Sequence, residues 1–447
     1  MKRLRFGLLA TGLALGLVIV AGIAFGHGDG VSAQPAQMLR HPGTGTGPQP
    51  GPAASGDALS AAIVAAQRQL QSNDRDWNTW ANLGAAYVEE GRVMVDPSYY
   101  PKAEGALRRS VELNPDGNFA AEIGLGALAN ARHEFGDAAV HAQRALAVDP
   151  YSATANGVLA DAETQLGDYP AATAAVQRML DLKPGIDSFS RASYDQEIHG
   201  DPAGAAGALQ DALDSAFTPA DTAFCRYYLG ELAFNSGDLA EAARQYEAGI
   251  AADPGSAPPL EGKAKLETVR GDTAGAIRDY TAVVNLVPQP QYVLELGDLQ
   301  ASLGHQDAAQ QQYRLLAAEE RLFDANGVVD DLTSAQFAAD HGDPTGALRH
   351  AEAEWGRRHS VLVADALAWA LHVNGRDAEA LGHARQATAL GEKNAVFLFH
   401  RGMIERSLGQ RDEARRDLSD ALRINPSFSV LQTPVARAAL AGLGGAA

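Results

Sequence analysis

The amino-acid sequence predicts an all-α fold, an α-solenoid in which about ten helical hairpins stack one after another. Two observations lead to this prediction: a glycine paired with an alanine recurs along the chain, and prolines recur at a matching interval. A repeat of roughly 34 residues has room for two helices and their connecting turns. Aromatic residues make up only 6% of the 447 residues, as expected for thin layers of closely packed helices.

The recurring glycine predicts the turn between the two helices of each unit. Glycine just after a helix can take the left-handed conformation that caps it, and the aspartate that usually follows can start the next helix. The alanine, always five residues later, would let the second helix pack closely on the first. The eight pairs are Gly167 and Ala172, Gly200 and Ala205, Gly237 and Ala242, Gly271 and Ala276, Gly304 and Ala309, Gly342 and Ala347, Gly375 and Ala380, and Gly409 and Ala414. Gly136 also fits the interval, but His141 stands at its alanine position.

The recurring proline predicts the end of each second helix, because proline cannot continue the helical hydrogen-bond ladder. The separations are close to one, one, two, one and four periods of roughly 34 residues. The prolines of this series are Pro115, Pro150, Pro184, Pro254, Pro288 and Pro426.

These units resemble the tetratricopeptide repeat, whose pattern is Trp-x2-Leu-Gly-x2-Tyr, then Ala-x3-Phe, then Pro. An insertion of seven residues within 88–102 lengthens the turn of the first unit, and the units at 186–216 and 328–358 are degenerate. The first unit otherwise carries the pattern nearly intact, in Trp80, Leu83, Gly84, Tyr87, Ala103, Leu107 and Pro115.

The resemblance implies about ten repeats over residues 77–426, wound into a right-handed superhelix that binds other proteins. The repeat domain would span residues 57–442. Its ends need capping helices, because an end repeat otherwise exposes its apolar face. We expect an amphipathic cap at 57–72 and a final helix capped by Thr433.

In this family the first helix of each unit lines the concave groove, so the resemblance assigns candidate protein-binding residues by repeat position. They mix acidic, basic, amide and aromatic side chains, and they lack the matched Lys, Arg and Asn set that grips C-terminal carboxylates. For Trp369, packing and groove contact are equally open. The candidates are Asn78, Asn130, Asp161, Tyr194, Glu231, Lys265, Asp298, Trp369, His372 and Arg406.

The N-terminal residues 1–25 are typical of an export signal. A basic start is followed by residues 6–25, which carry no charge, so the rest of the chain is predicted to be extracytoplasmic. Two outcomes stay open. The small residues before Gln34 allow cleavage near Ala33 and secretion, whereas an apolar run of 20 residues is long enough to anchor the protein in the cytoplasmic membrane. Residues 26–56, rich in Gly and Pro, are predicted to be a flexible linker.

The charge of the chain argues against nucleic acid as a partner. The formal net charge is −19, and residues 57–447 carry 32 basic and 54 acidic side chains without a basic stripe. An acidic surface repels the phosphate backbone. Because Cys225 is the sole cysteine, the chain forms no internal disulfide and no cysteine-based metal site.

The sequence contains no recognised catalytic pattern. It has no HExxH motif, no phosphate-binding glycine loop and no Gly-x-Ser-x-Gly elbow, and its twelve histidines are scattered. We therefore expect no enzyme activity, no cofactor and no metal. The expected function is a non-catalytic scaffold or adaptor for protein partners. The alternative is an assembly chaperone for exported apoproteins, similar to cytochrome c maturation proteins in its anchor and repeats.

Overall fold

The computed structural model describes residues 54–444, and it describes the side chains from residue 59 onward. Within this range the secondary structure consists of 22 helices and no strand. None of these helices is long and apolar enough to cross a membrane. The predicted signal or anchor at 1–25 and nearly all of the linker at 26–56 lie outside the described residues.

Twenty of the described helices form ten consecutive hairpins, which confirms the predicted number of units. Helix α1 (Ala54–Ser72) precedes them and α22 (Thr433–Gly442) follows them. The hairpins are α2 (Trp77–Val93) with α3 (Tyr99–Leu113), α4 (Phe119–Ala131) with α5 (Phe135–Val148), α6 (Ala153–Leu166) with α7 (Tyr169–Leu182), α8 (Ile186–Ile198) with α9 (Pro202–Asp214), α10 (Pro219–Asn235) with α11 (Leu239–Ala252), α12 (Ala257–Arg270) with α13 (Thr273–Leu286), α14 (Pro290–Ser302) with α15 (Gln306–Ala325), α16 (Asp331–Asp340) with α17 (Pro344–Trp355), α18 (Val361–Val373) with α19 (Asp377–Ala387), and α20 (Ala395–Ser407) with α21 (Arg411–Ile424).

The predicted turn glycines have the backbone that their role requires. All eight have φ between 74° and 87°, a region that side chains rarely adopt. Five of them are followed by an aspartate whose carboxylate accepts a hydrogen bond from the backbone three residues later, as Asp168 does from the Ala171 amide at 3.1 Å. In the second unit the left-handed residue is His133, with φ 63°, and Gly136 lies inside α5.

The alanines after these glycines are buried at the start of the second helices. All eight have a relative exposure of 0%. A second contact uses the glycine of the first helix: the Tyr246 ring lies against Gly230 of its own unit and Gly262 of the next. Small residues thus let one large side chain join two consecutive units.

The helix ends follow the predicted prolines. Each of the six prolines stands two residues after the last residue of a second helix, as Pro115 does after α3. The final helix begins at Thr433, but its cap residue is Gln432, so the predicted capping role of Thr433 is wrong. The Thr433 hydroxyl instead accepts a hydrogen bond from the Ser429 amide at 3.1 Å, inside the preceding turn.

The solenoid contacts itself one superhelical turn later. The Leu166 carbonyl accepts a hydrogen bond from the His359 amide at 3.2 Å, and the Phe234 carbonyl accepts one from Asn425 Nδ2 at 3.0 Å. Between these, the turn at Gly200 lies directly against the backbone of the later turn. The paired residues are 191 to 193 positions apart, which corresponds to between five and six repeats of roughly 34 residues.

Candidate functional site

A cavity of about 220 Å³ lies where the two superhelical turns meet. One wall comes from the first helices of successive units, α8, α10, α12 and α14. The other wall comes from the loop before α20 and from the segment after α21. A smaller space of about 80 Å³ continues from it along α14 toward residues 427–430. The later turn therefore covers part of the groove that the first helices form.

Aromatic residues of α10 form much of the first wall. The Tyr227 ring meets the Tyr228 ring edge-on at 4.9 Å between centroids, and it lies 6.2 Å from the ring of Tyr246. Phe234 lies about two turns further along the same helix, and Phe428 faces it from the later superhelical turn. These rings supply apolar surface around the polar groups of the cavity.

A buried ion cluster joins two of the predicted residues across one repeat. Lys265 Nζ donates to both carboxylate oxygens of Glu231 at 2.6 Å and lies 3.1 Å from a carboxylate oxygen of Glu261. Burial alone would lower the pKa of Lys265, but Glu231 and Glu261 outweigh it and raise this pKa above its usual value. Lys265 is therefore charged at neutral pH and its charge is taken up by these two carboxylates.

Two further carboxylates of the cavity have no cation beside them. The carboxylate of Glu197, near the end of α8, makes no hydrogen bond or ion pair to any described residue, and burial, helped by Glu231, raises its pKa to about 7. Glu392, in the loop before α20, accepts a hydrogen bond from Asn394 Nδ2 at 2.9 Å. Burial and then the nearby Glu197 raise the pKa of Glu392 to about 8. The cavity thus holds two carboxyl groups that no cation of the described chain accompanies, and both are partly protonated at neutral pH.

All ten predicted groove residues lie on first helices, but their surroundings differ. Asn78 and Arg406 are exposed, and His372 is half-buried. Three of the ten, Tyr194, Glu231 and Lys265, line the cavity. The other four are buried and hydrogen-bonded within the protein: Asn130, Asp161, Asp298 and Trp369. Which of the ten touch a partner stays a prediction.

The buried members of the set connect neighbouring units. Asp161 receives two hydrogen bonds from the guanidinium of Arg191 on the next first helix, at 2.8 and 2.7 Å. Asn130 Nδ2 donates to the Val158 carbonyl at 3.0 Å. Burial raises the pKa of Asp161 although Arg191 opposes it, so the pair is embedded rather than solvated. These contacts hold first helices side by side.

Trp369 belongs to a polar but closed cluster near the C-terminal end. Its side chain is 8% exposed, its indole donates to Asp340 at 2.9 Å, and its ring stacks on His400 at 4.2 Å between centroids. The His372 ring also stacks on the Trp369 ring, at 4.8 Å between centroids, and His372 Nδ1 lies 2.5 Å from Asp377 Oδ1. Packing accounts for every part of the Trp369 side chain.

Most residues of the cavity wall were not predicted from the sequence, among them Glu197, Tyr227, Tyr228 and Glu392. Glu197 stands three residues before the turn glycine, as His372 does in its unit. If the position three residues before the turn glycine is assigned to the groove in every unit, Glu197 is among the candidates. Glu392 lies in the loop between two units, and the repeat pattern does not predict which side chains of such a loop face the groove.

The described residues contain no group of three or more His, Cys, Asp or Glu placed to hold a metal ion. His341, His350 and His359 are nine residues apart in sequence, but each has a different neighbour: Asp298, Asp331 and Trp355, respectively. Cys225 is buried in α10, and burial raises the pKa of its thiol to about 12. This cysteine is therefore an unreactive packing residue.

Family models of the tetratricopeptide repeat match three segments of the chain. One model matches residues 123–185 and 199–257, and a second matches residues 395–428. The chain contains tetratricopeptide repeats. The matched segments cover hairpins from both superhelical turns, and the hairpins between them pack in the same way. Tetratricopeptide-repeat proteins bind protein partners.

Several solved structures are similar to this chain. Yeast Tom70 is 13% identical, with 87% of this chain and 93% of that chain covered and a TM-score of 0.36. Human IFIT1, solved as a dimer with PPP-AAAA, is 13% identical, with coverages of 82% and 88% and a TM-score of 0.43. PilF from Pseudomonas aeruginosa is 18% identical, with coverages of 53% and 96% and a TM-score of 0.36. At these scores the likeness carries no conclusion about function. No curated protein sequence matches the chain.

Proposed function

We propose that this protein is a non-catalytic scaffold or adaptor that binds segments of partner proteins in the concave groove of its superhelix, outside the cytoplasm. The observation that carries the proposal is the cavity between the two turns. It is lined by first helices, which form the concave side of such arrays, and several of its polar groups lack partners in the described chain. A groove of this kind suits an extended segment, which gains affinity from modest contacts spread over a long surface.

The distribution of exposed and buried groove positions supports this role. Asn78 in the first unit and Arg406 in the last unit are exposed, whereas the positions between them are buried, half-buried or line the cavity. A bound segment would therefore meet open polar surface at both ends and a partly covered site in the middle. The acidic surface of the chain favours protein segments with basic residues over nucleic acid.

The extracytoplasmic location rests on residues 1–25 alone. Their basic start and uncharged stretch at 6–25 support export, followed by either membrane anchoring or cleavage near Ala33. N-terminal sequencing of the native protein separates the two outcomes, because cleavage there leaves Gln34 as the first residue. A protein that stays in the cytoplasmic fraction with an intact N-terminus would contradict the export proposal.

Affinity capture with the full-length protein, tagged at its C-terminus, tests the binding role. We expect defined proteins to be enriched, and one purified candidate to bind directly in calorimetry. The Arg406→Glu variant, altered on a first helix, should bind more weakly because it reverses a charge on the groove side. Arg416→Glu, also exposed but on the second helix α21, should bind as wild type does.

The outcomes discriminate between functions. Enrichment of a single class of apoprotein would favour the assembly-chaperone alternative over a general scaffold. Equal binding by the Arg406→Glu and Arg416→Glu variants would remove the groove from the proposal. Turnover of a substrate by the purified protein would contradict its non-catalytic character.

A further inference from the structure

We propose that the cavity between the two superhelical turns, hereafter the inter-turn cavity, binds one cationic side chain, Lys or Arg, of a partner segment. The inference rests on the proposed function and names the chemistry of its central contact. It is carried by three independent features of the cavity wall: polar groups without partners, carboxylates in excess, and aromatic rings.

The first feature is a set of hydroxyls that make no hydrogen bond to any described residue. Ser193, which is 3% exposed, and Tyr227, which is 6% exposed, both line the cavity. Tyr194 and Tyr228 beside them are also without a hydrogen-bond partner in the part of the chain that the structure describes. The oxygens of these four hydroxyls are open to the cavity, where water or a polar ligand can reach them. Such groups become paired when a polar ligand enters.

The second feature is the sign of the charge. Four carboxylates line the cavity, against the ammonium groups of Lys265 and Lys393. The four carboxylates are those of Glu197, Glu231, Glu295 and Glu392. Lys265 is already engaged by Glu231 and by the buried Glu261, and Lys393 is exposed. A further cation would be attracted, and an anion would be repelled.

The third feature is the aromatic surface beside these carboxylates. Lys265 shows how a cation sits there, since its Nζ lies 5.9 Å from the centroid of Tyr227 and 5.3 Å from that of Phe234. The rings of Tyr194 and Tyr228 carry no such cation among the described residues. Aromatic faces attract ammonium and guanidinium groups, and they also accept the apolar stem of Lys or Arg.

The size of the cavity selects a side chain rather than a larger ligand. Pockets for drug-sized molecules usually measure about 300–1,000 Å³, whereas the inter-turn cavity measures about 220 Å³. A helix would not fit between the turns. An apolar side chain would fit, but it would leave Glu197 and the hydroxyls unpaired, which is unfavourable.

Titration of the full-length protein with capped pentapeptides tests the proposal. The probe is acetyl-Gly-Gly-Lys-Gly-Gly-amide, and the matched probe carries norleucine, which keeps the stem without the ammonium group. Isothermal calorimetry at pH 7.5 should show millimolar binding of the Lys probe and at least tenfold weaker binding of the norleucine probe. Spermidine serves as a third probe, because tighter binding of free spermidine than of the Lys peptide would replace the partner segment with a polyamine.

Substitutions in the cavity wall test whether the Lys probe binds in the inter-turn cavity. Glu197→Gln and Glu392→Gln keep the size of the side chain and remove the charge, so each should weaken the Lys probe about tenfold. Glu247→Gln, on the exposed side of α11, should change nothing. Circular dichroism of each variant shows that the fold is kept.

Proton release gives a second readout that a purely structural carboxylate would not show. Burial, together with Glu231 beside Glu197 and with Glu197 and Asp365 beside Glu392, raises the pKa of both carboxyl groups, so both are partly protonated at neutral pH. A bound cation lowers the pKa of these carboxylates and expels protons, which appears as a buffer-dependent heat at pH 7.5.

Equal affinity for the Lys and norleucine probes, or unchanged Lys binding in both Gln variants, would overturn this inference. The same holds if no Lys binding is detected at 10 mM probe. In each case captured partners that still respond to Arg406→Glu would leave the proposed function standing. If the captured partners also fail to respond to Arg406→Glu, the proposed function and this inference are both overturned.

Discussion

Glu231 and Trp369 occupy the same position of the repeat, six residues before the turn glycine of their units, but they do different things. The Trp369 side chain is enclosed by neighbours such as Asp340 and His400. Glu231 holds Lys265 and borders the inter-turn cavity. The repeat position determines that a side chain points to the inner side of the array. What lies opposite determines whether that side chain packs or stays available.

The residues that face Trp369 and those that face Glu231 come from different parts of the chain. Beside Trp369, Phe399 of the next first helix packs against the indole, and His400 in turn contacts Gln432 of the C-terminal cap. Beside Glu231 the chain opposite is the loop with Glu392, which approaches without filling the space. Packing between consecutive units encloses Trp369, whereas contact between the two superhelical turns only partly covers the space beside Glu231.

The largest expected effect comes from opening the closed region. Trp369→Ala removes a buried indole and should lower the free energy of unfolding by about 3–5 kcal/mol. Trp77→Ala, on the outer face of α2 where the indole is partly exposed, should cost less than half as much. Urea unfolding followed by circular dichroism measures both variants. Equal losses would mean that Trp369 is no more part of the core than Trp77.

The next expected effect comes from a substitution that forces the two superhelical turns apart. Gly200 and Gly271 both have φ near 80°, so alanine costs about 1–2 kcal/mol at either site. Only at Gly200 does the added methyl group meet the backbone at Gly391, whereas the space around Gly271 is open. We expect Gly200→Ala to destabilise the protein by about 1–3 kcal/mol more than Gly271→Ala, by the same unfolding measurement. No difference would mean that the turns are apart in solution.

A change beneath Glu231 tests how the cavity wall is supported. Gly230→Ala places a methyl group against the Tyr246 ring, which donates a hydrogen bond to Glu231. It should lower stability by about 1–3 kcal/mol, although alanine is the better helix former. Gly207→Ala, in α9 with open space around it, should instead raise stability by up to about 1 kcal/mol. Thermal melting compares the pair, and stabilisation in both would show that Tyr246 has room to move.

The open region also has an expected effect that appears only as the pH changes. Because the folded pKa of Glu197 is about 7 and that of Glu392 about 8, the folded state binds more protons than the unfolded state above pH 4.5. These groups therefore cost stability as pH rises from about 5 to about 8. The Glu197→Gln/Glu392→Gln double variant should melt close to wild type at pH 5 and higher than wild type at pH 8.5. Parallel melting curves of the two proteins across this range would contradict the assignment.

The local structure could be predicted from the sequence because its causes are local. A left-handed glycine and a buried alanine five residues later are required by the hairpin itself, so Gly167 and Ala172 identify their unit without any other information. His133 shows the limit of that argument, since a non-glycine residue takes the same backbone conformation where Gly136 fits the spacing. The degenerate units were found because they retain these two positions.

The cavity could not be predicted because its cause is not local. Glu197 and Glu392 meet only because small rotations between units add up over between five and six repeats of roughly 34 residues. A change of a few degrees per unit would move the later loop away from α8. No short pattern in the sequence specifies that sum, so the inner-helix position gave Tyr194 and Glu231 but not the residues that cover them.

The self-contact of the solenoid also has a kinetic consequence. Since Asn425 bonds to the end of α10 and the Gly391 loop lies on Gly200, these loops partly cover a guest in the inter-turn cavity and narrow its way out. The lifetime of a complex then depends on how often the two turns part, and not only on the strength of the contacts to the guest. A partner threaded through such an opening can be exchanged slowly even when its affinity is modest.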